Sequence, residues 1–262
     1  MNIVVCIKQV PETNEIGWDT EKGTLMRESV GGILNLNDKN ALEAALQLRE
    51  KYSGSITALS MGPPQAEDVL REALSMGIDK AILLSDRLFA GADTLSTSYT
   101  LSLALKIMDS FDLILCGKES WDAMTAQVGS QLAELLNLPQ LTYATEITIT
   151  NNSVTIKQKL EDGLRILETP LPALITVERE INHPRIPTMD NIMEAYRNKE
   201  VQIWGVETLG GMKEHFGLKG SPTQSKKVYR KEVKRGTVTI LEGKPDEVAR
   251  EFIQLVKQKA LI

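Results

Sequence analysis

The residues whose types and spacing best suit chemistry form one run, DLILCGKESWDAMTAQVGSQLAELLN at positions 112–137. Residues 113–116 are apolar and read as a buried strand that breaks at Gly117. A polar loop follows, and an amphipathic helix is expected to start near Asp122. A strand, a glycine, a polar loop and a helix start make an anion site. The first amides of a helix have no internal acceptor and carry partial positive charge. The ligand expected there is a phosphate, a diphosphate or a ribose group. GKESWDAMT matches neither GxxxxGK[ST] nor GxGxxG, the two glycine-rich phosphate fingerprints. A plain strand-turn-helix without a ligand is the competing reading.

The elements that must position this run are legible on both sides of it. A strand at 3–7 opens the chain, and a long segment at 8–36 follows, rich in Gly, Thr and charge. Its GTLMRE suits a short hairpin, and a connection this long is often functional. LNLNDKNALEAALQLREKY then opens a helix, with Asn37 or Asp38 as cap and Ala41, Leu42, Ala45 and Leu48 as apolar face. Next come a strand at 55–61, a helix at 65–76 ending at Gly77, and a strand at 80–84. A helix capped by Asp93 or Thr94 reaches Met108 and leads to the strand at 112–116. This alternation predicts an α/β fold with a parallel sheet covered on both faces. Ligands of such sheets bind at the carboxyl edge, where strand order reverses.

After Pro139 the pattern changes. Segments 146–150 and 154–160 alternate apolar and polar around Asn151-Asn152, which signals a hairpin. With strands at 164–168 and 172–177 they are read as an antiparallel addition at 146–178 of the same domain, 1–204. A short helix is expected over 187–198, with Thr188 or Asp190 near its start. From 205 to 262 the composition loosens into a basic run, YRKEVKRG, and a final amphipathic helix at 245–259. An arm that builds no core of its own suits burial by a partner subunit.

Composition bounds the rest. The chain has 262 residues, 42% hydrophobic and 25% charged, with a net charge of -5, so it reads as globular and not as a nucleic-acid binder. No apolar run approaches the roughly 20 residues of a membrane span. The N-terminus MNIVVCIKQVPE enters a strand directly, without the features of a signal peptide. Two cysteines, Cys6 and Cys116, both end predicted strands and are expected near each other as small buried hydrophobes of a reduced, cytoplasmic protein. Two histidines, His183 and His215, leave little for a His-based metal site or a Ser/His/Asp triad.

Several stretches together resemble the beta subunits of electron transfer flavoproteins, in their FixA-like branch. They are KQVP at 8–11, LNDKNALEAAL at 36–46, SMGPPQ at 60–65, LREALSMGIDKAI at 70–82 and ADTLST at 92–97. CGKESWDAMTAQVGSQLAELLNLP at 116–139, LEDGLRILETPLPALIT at 160–176, NHPRIPTMDNIMEA at 182–195 and GLKGSPTQ at 217–224 complete the set. Gln158 departs from the family's usual basic residue, and Arg165 from its Glu or Gln. Relatives often read GKQAIDGDTAQVG where this chain has Ser120-Trp121 before Asp122 and Ala123-Met124 after it.

The resemblance implies an adenine nucleotide alpha-hydrolase-like, Rossmann-like sheet whose beta site holds AMP or, in electron-bifurcating members, a second FAD. By matching motif the nucleotide contacts fall on Cys6, on Asn37, Asp38, Lys39 and Asn40, and on Met61. They continue through Gly117, Lys118, Glu119, Ser120, Trp121, Asp122, Ala123, Met124, Thr125, Ala126, Gln127 and Val128. Gly117 lets the chain turn close to a ligand. Amides of 123–128 can donate to phosphate, each such bond contributing roughly 1.5–3 kcal/mol, and Thr125 can add a hydroxyl. Asp122 repels phosphate, so it is read as a helix cap or as an acceptor for a ribose hydroxyl. Lys8 and Lys118 can balance phosphate charge, with plain exposure as the alternative.

The resemblance also implies partners. An alpha subunit carrying its own FAD completes a heterodimer. Segment 184–199 docks an acyl-CoA dehydrogenase or CoA-ester reductase through Met189, with Ile192 and Met193 beside it. In a bifurcating member, NADH supplies electrons that divide between ferredoxin and the dehydrogenase or reductase. A non-bifurcating carrier with structural AMP is the alternative, and an adenine-nucleotide-binding regulatory module is a remote one.

Overall fold

The computed structural model describes residues 1–12, 31–108, 110–223 and 238–259, with the backbone of 18–19 and 24–25. The chain divides into two compact units, Met1–Gln224 and Ser225–Ile262. The first therefore runs past the expected boundary at 204.

The first unit is built on a nine-stranded sheet. Its strands are β1 (Asn2–Ile7), β6 (Ser55–Met61), β7 (Lys80–Leu84), β8 (Leu113–Gly117), β9 (Gln140–Thr150), β10 (Ser153–Leu160), β11 (Gly163–Pro170), β12 (Ala173–Val177) and β13 (Val201–Trp204). Small pairs lie outside it: β2 (Gln9–Pro11) with β5 (Gly32–Leu34), and β3 (Trp18–Asp19) with β4 (Thr24–Leu25). The β3–β4 pair is the hairpin expected around GTLMRE, whose remaining residues lie outside the described ones.

Strand order is β11-β10-β9-β12-β8-β1-β6-β7-β13. The chain leaves β1 toward β6 and β7, then returns to lay β8 on the other side of β1, and only after β12 adds β13 at the edge beside β7. The reversal of order falls between β1 and β8. The central strands β1, β6, β7, β8 and β12 pair in parallel and are almost wholly apolar, as a sheet covered on both faces requires. The antiparallel addition is β9–β10–β11. β12, expected within it, instead runs parallel to both β8 and β9. Asn151 and Asn152 turn the β9–β10 hairpin with φ of 49° and 67°, the left-handed pair that a two-residue turn needs.

Helices α1 (Leu36–Tyr52) and α2 (Glu67–Met76) cover one face, packing Leu42, Leu46 and Leu70 on Ile3, Val5 and Ala58. Helices α3 (Thr94–Ile107) and α4 (Val128–Leu136) and the short α6 (Val206–Leu209) cover the other. There Leu101, Leu105 and Leu132 meet Val4, Leu59 and Ile114. Asp93 caps α3 by accepting from Leu95 N and Ser96 N, as the sequence predicts. Gly77 ends α2 at φ 111°. Helix α5 (Met189–Arg197) starts at Thr188, whose hydroxyl accepts from Asn191 N.

Two helix starts differ from expectation. α1 begins at Leu36, after Asn35, so neither Asn37 nor Asp38 caps it. α4 begins at Val128, not near Asp122. Asp122 is drawn instead into an ion pair with Lys8, and Met124 and Ala126 hold left-handed backbone (φ 50° and 52°) that a right-handed helix cannot contain.

In the second unit, α7 (Pro245–Gln258) has Pro245 in its first turn, and the Lys244 amide before it donates to Glu247 Oε2 at 3.3 Å. None of its residues is buried, and Phe252 and Ile253 are exposed. The basic run YRKEVKRG lies outside the described residues. Among the described residues no helix is long and apolar enough to cross a membrane.

Helix α4 approaches β12 closely at Gly129, where a Cβ would stand 2.6 Å from Thr176 Cγ2. Gly129→Val is expected to push α4 off the sheet and lower stability by about 2 kcal/mol. Urea unfolding with an unchanged denaturant slope checks this.

Candidate functional site

The reversal of strand order leaves a crevice beyond the carboxyl ends of β1 and β8, and the loop at 118–127 is its wall. Neighbouring side chains hold that loop in place. Asn35, at the start of α1, is 1% exposed and works in both directions. Its Nδ2 donates to Glu119 O at 2.9 Å, and its Oδ1 accepts from Trp121 N at 3.0 Å. Asn37 Nδ2 donates to the same Glu119 carbonyl at 2.8 Å. Lys8 Nζ reaches Asp122 Oδ1 at 2.6 Å and Ser120 Oγ at 3.3 Å. Lys118 pairs with Glu178 at 3.0 Å and lies over the Tyr143 ring. Glu178 raises the Lys118 pKa. At the far end Thr94 Oγ1 donates to Gln127 Oε1.

Asp38 ties the two strands. Its Oδ2 accepts from Lys8 N at 2.8 Å and its Oδ1 from Gly117 N at 3.2 Å. Gly117 is required here, because a Cβ would collide with Asp38 Oδ1 and with the Asn37 backbone. Burial pushes the Asp38 carboxyl up to about 7, against the hydrogen bonds from Asn35, Lys8 and Gly117. Cys6 and Cys116 stand opposite each other in register just inside the strand ends, both buried and free. Their mutual hydrogen bond, with burial, raises the Cys116 thiol pKa.

The structure thus brings together Cys6, Asn37, Asp38, Gly117 and the loop 118–128. Lys39 and Asn40 face elsewhere. Lys39 pairs with Glu72 of α2, and Asn40 Nδ2 donates to Arg179 O and Asn182 O. Met61 ends β6 and packs against the α3–α4 face. A cavity of about 140 Å³ opens beside the loop, lined by Asn35, Asn37, Glu119, Trp121, Met124 and Arg179.

The geometry suits an anion. α4 has no side-chain cap, so its first amides have no side-chain acceptor. Left-handed Met124 and Ala126 cost on the order of 1 kcal/mol each. The cavity itself is below the roughly 300 Å³ of a typical small-molecule pocket. A larger cavity, about 350 Å³, lies away from the loop, between α2 and α5.

A second surface is built around α5. Arg185 donates to Glu43 through Nε at 2.8 Å and Nη2 at 3.0 Å, and to Glu50 through Nη1. Burial acts to raise the Glu43 pKa, but the Arg185 bonds outweigh it and hold the carboxyl low. Arg71 Nη1 donates to Ala195 O and Lys199 O at 2.6 Å each, fastening the other end of α5. The helix buries only Ala195. Met189, Ile192 and Met193 are exposed, with Ile186 and Tyr196 beside them.

Sequence reasoning missed Asn35, Arg71, Arg179 and Arg185. Asn35 carried a signal, a polar residue directly before the helix run. Arg71 and Arg185 carried none for this role, since the α5 carbonyls and the Glu43 carboxylate they hold lie far along the chain.

A family model described as electron transfer flavoprotein domain matches residues 22–209. The electron transfer flavoprotein subunit beta of Clostridium acetobutylicum is 44% identical over 262 residues, covering 100% of both chains. The caffeyl-CoA reductase-Etf complex subunit CarD of Acetobacterium woodii is 43% identical over 263 residues, again covering 100% of both. Protein FixA of Azorhizobium caulinodans is 42% identical over 254 residues, covering 92% of this chain and 89% of the relative.

Two outcomes follow from the charges. Arg185→Ala strands the nearly buried Glu43 carboxylate and should cost about 3 kcal/mol, recovered in part by adding Glu43→Gln; chemical denaturation of the double-mutant cycle reads this. For Asp38 the folded-state pKa stands above the unfolded one, 3.8 against about 7. Its contribution to stability is full below about pH 4 and is lost as pH rises through about 7, by roughly 4 kcal/mol at most. Asp86 and Asp93, both lowered, act with the opposite sign and lose their contribution as pH falls through the acid range. Melting Asp38→Asn beside the wild type from pH 4 to 8 should show the difference confined to that window.

Proposed function

We propose a function that starts from one premise: this chain belongs to the electron transfer flavoprotein family, as a FixA-like beta subunit. Its role is electron transfer between flavin-linked partners. The finer reading is a heterodimer with an alpha subunit, in which this chain holds FAD at the crevice between β1 and β8. Electrons enter from NADH and divide between ferredoxin and an acyl-CoA dehydrogenase or CoA-ester reductase. The name of the Acetobacterium relative, a subunit of a caffeyl-CoA reductase-Etf complex, supports the reductase as partner.

The observation that carries this reading is the loop at 118–127, fastened over the point where strand order reverses. In this reading the uncapped start of α4 receives the phosphates, with Thr125 beside it. Lys8 offsets the Asp122 charge that would otherwise repel them. A bound isoalloxazine supplies the redox chemistry, taking up a hydride or passing single electrons. The chain's residues place it and keep its charge balanced. The alpha subunit supplies the wall that a cavity of about 140 Å³ lacks, and α7, with Phe252 and Ile253 outward, is buried against it. The α5 face around Met189 meets the dehydrogenase or reductase.

The second reading is AMP in the same site as a structural ligand, favoured by the small size of the cavity. Cofactors released from the co-expressed heterodimer separate the two by absorbance and mass. Two FAD per dimer are expected; one FAD with one AMP would establish the second reading. Met189→Asp should slow electron transfer to the dehydrogenase or reductase roughly tenfold, as loss of an apolar anchor does, with flavin content unchanged. A wild-type rate would remove this helix from the docking surface.

A further inference from the structure

We propose that Asp38 is a positioning residue for the nucleotide site: its carboxylate fixes the separation of the β1 and β8 ends, and ligand retention follows its ability to accept at both oxygens. This rests on the nucleotide reading above. Where strand order reverses, the amides of Lys8 and Gly117 leave the sheet side by side. Both are donors, and both donate to Asp38, at 2.8 Å and 3.2 Å. Asp38 is 6% exposed, so water does not readily replace either bond. Gly117 is the residue from which the loop departs, and Lys8 is the residue whose side chain holds Asp122 and Ser120 within it. One carboxylate therefore governs both roots of the ligand's wall without touching the ligand.

Only the ionised carboxylate accepts at both oxygens. A proton turns one oxygen into a donor, and one strand-end amide then loses its acceptor. The charged and titratable groups around Asp38 are few. Lys8, the residue after β1, lowers its pKa, and Cys116 from β8, opposite Cys6, is raised in part by the Asp38 charge. On the loop side Lys118 is committed to Glu178 and Asp122 to Lys8. Arg179 beyond α1 offers its carbonyl to Asn40. Burial places the Asp38 transition near pH 7.

A consequence separates positioning from mere structural support. Protonation relieves the cost of a buried charge, so the fold gains stability as pH falls toward 4, as derived above. The same proton loosens the site. Stability and ligand retention should therefore move in opposite directions across neutral pH.

The test uses the heterodimer, with AMP and FAD added separately as probes. The wild type should bind about tenfold more tightly at pH 8 than at pH 6, the effect of one lost hydrogen bond to a buried amide. Asp38→Asn should bind about tenfold more weakly than the wild type at pH 8 and show no step. Equal or tighter binding by Asp38→Asn overturns the proposal, as does a step that survives in it. If Asp38→Asn yields no folded heterodimer, the wild-type profile decides alone, and a flat profile overturns the proposal. If neither probe binds the wild type at any pH, it is the nucleotide reading that fails. Positioning is then judged by thiol labelling at pH 8, where Cys6 and Cys116 should react at least tenfold faster in Asp38→Asn, and equal rates overturn it.

Discussion

Adjacent parallel strands that continue in opposite directions across a sheet leave main-chain donors at their ends with no neighbour to accept them. Buried amides of this kind demand partners. In this protein Asp38 supplies both acceptors from the first turn of α1, and much of the site depends on that choice. It fixes where the loop at 118–127 begins and forbids any side chain at Gly117. It also places a charge in the interior, balanced in part by Lys8. The surrounding polar residues then complete the fastening. Asn35, Asn37 and Lys8 hold the middle of the loop, and Lys118 with Glu178 holds its start. The start of α4 has no side-chain cap, and Asp122, the acid expected to cap it, is paired with Lys8 instead.

Much of the fold was legible in the sequence because it depends on local pattern. The apolar strands, the Gly77 stop, the Asp93 cap and the Asn151-Asn152 turn each follow from a few neighbouring residues. Partnership at long range was not legible. Asp122 looked like a helix cap because an acid before a helix usually is one, and nothing local revealed Lys8 as its partner. Asp38 looked like a cap or a ligand contact for the same reason, while its real partners lie at positions 8 and 117. β12 was grouped with the antiparallel strands because it follows them in the chain, although its pairing is parallel. Around the candidate site, the run at 117–128 was legible as a loop after a strand, whereas the pairing of Asn35 with that loop, and of Lys39 and Asn40 with Glu72 and Arg179, depends on residues far along the chain.

The α5 surface follows a different logic. It buries little of itself, so packing alone cannot hold it. Two arginines act as the fasteners: Arg185 on the buried Glu43, and Arg71 on the carbonyls of Ala195, in the last turn of the helix, and Lys199, just beyond it. Charge-assisted bonds of this kind are short and directional. They let a helix keep its apolar residues outward, as Met189 and Met193 are kept, without giving up its position.

Met124 and Ala126 hold a left-handed backbone without glycine. Glycine at those positions would relieve the strain, but it would also enlarge the set of shapes the loop could take before folding. A loop made of alanine and methionine has fewer alternatives, so less disorder must be removed when something settles against it. It also has fewer ways to peel open. The slight discomfort of two residues therefore acts on time: a guest would leave such a wall slowly, at a pace set by how rarely the wall deforms.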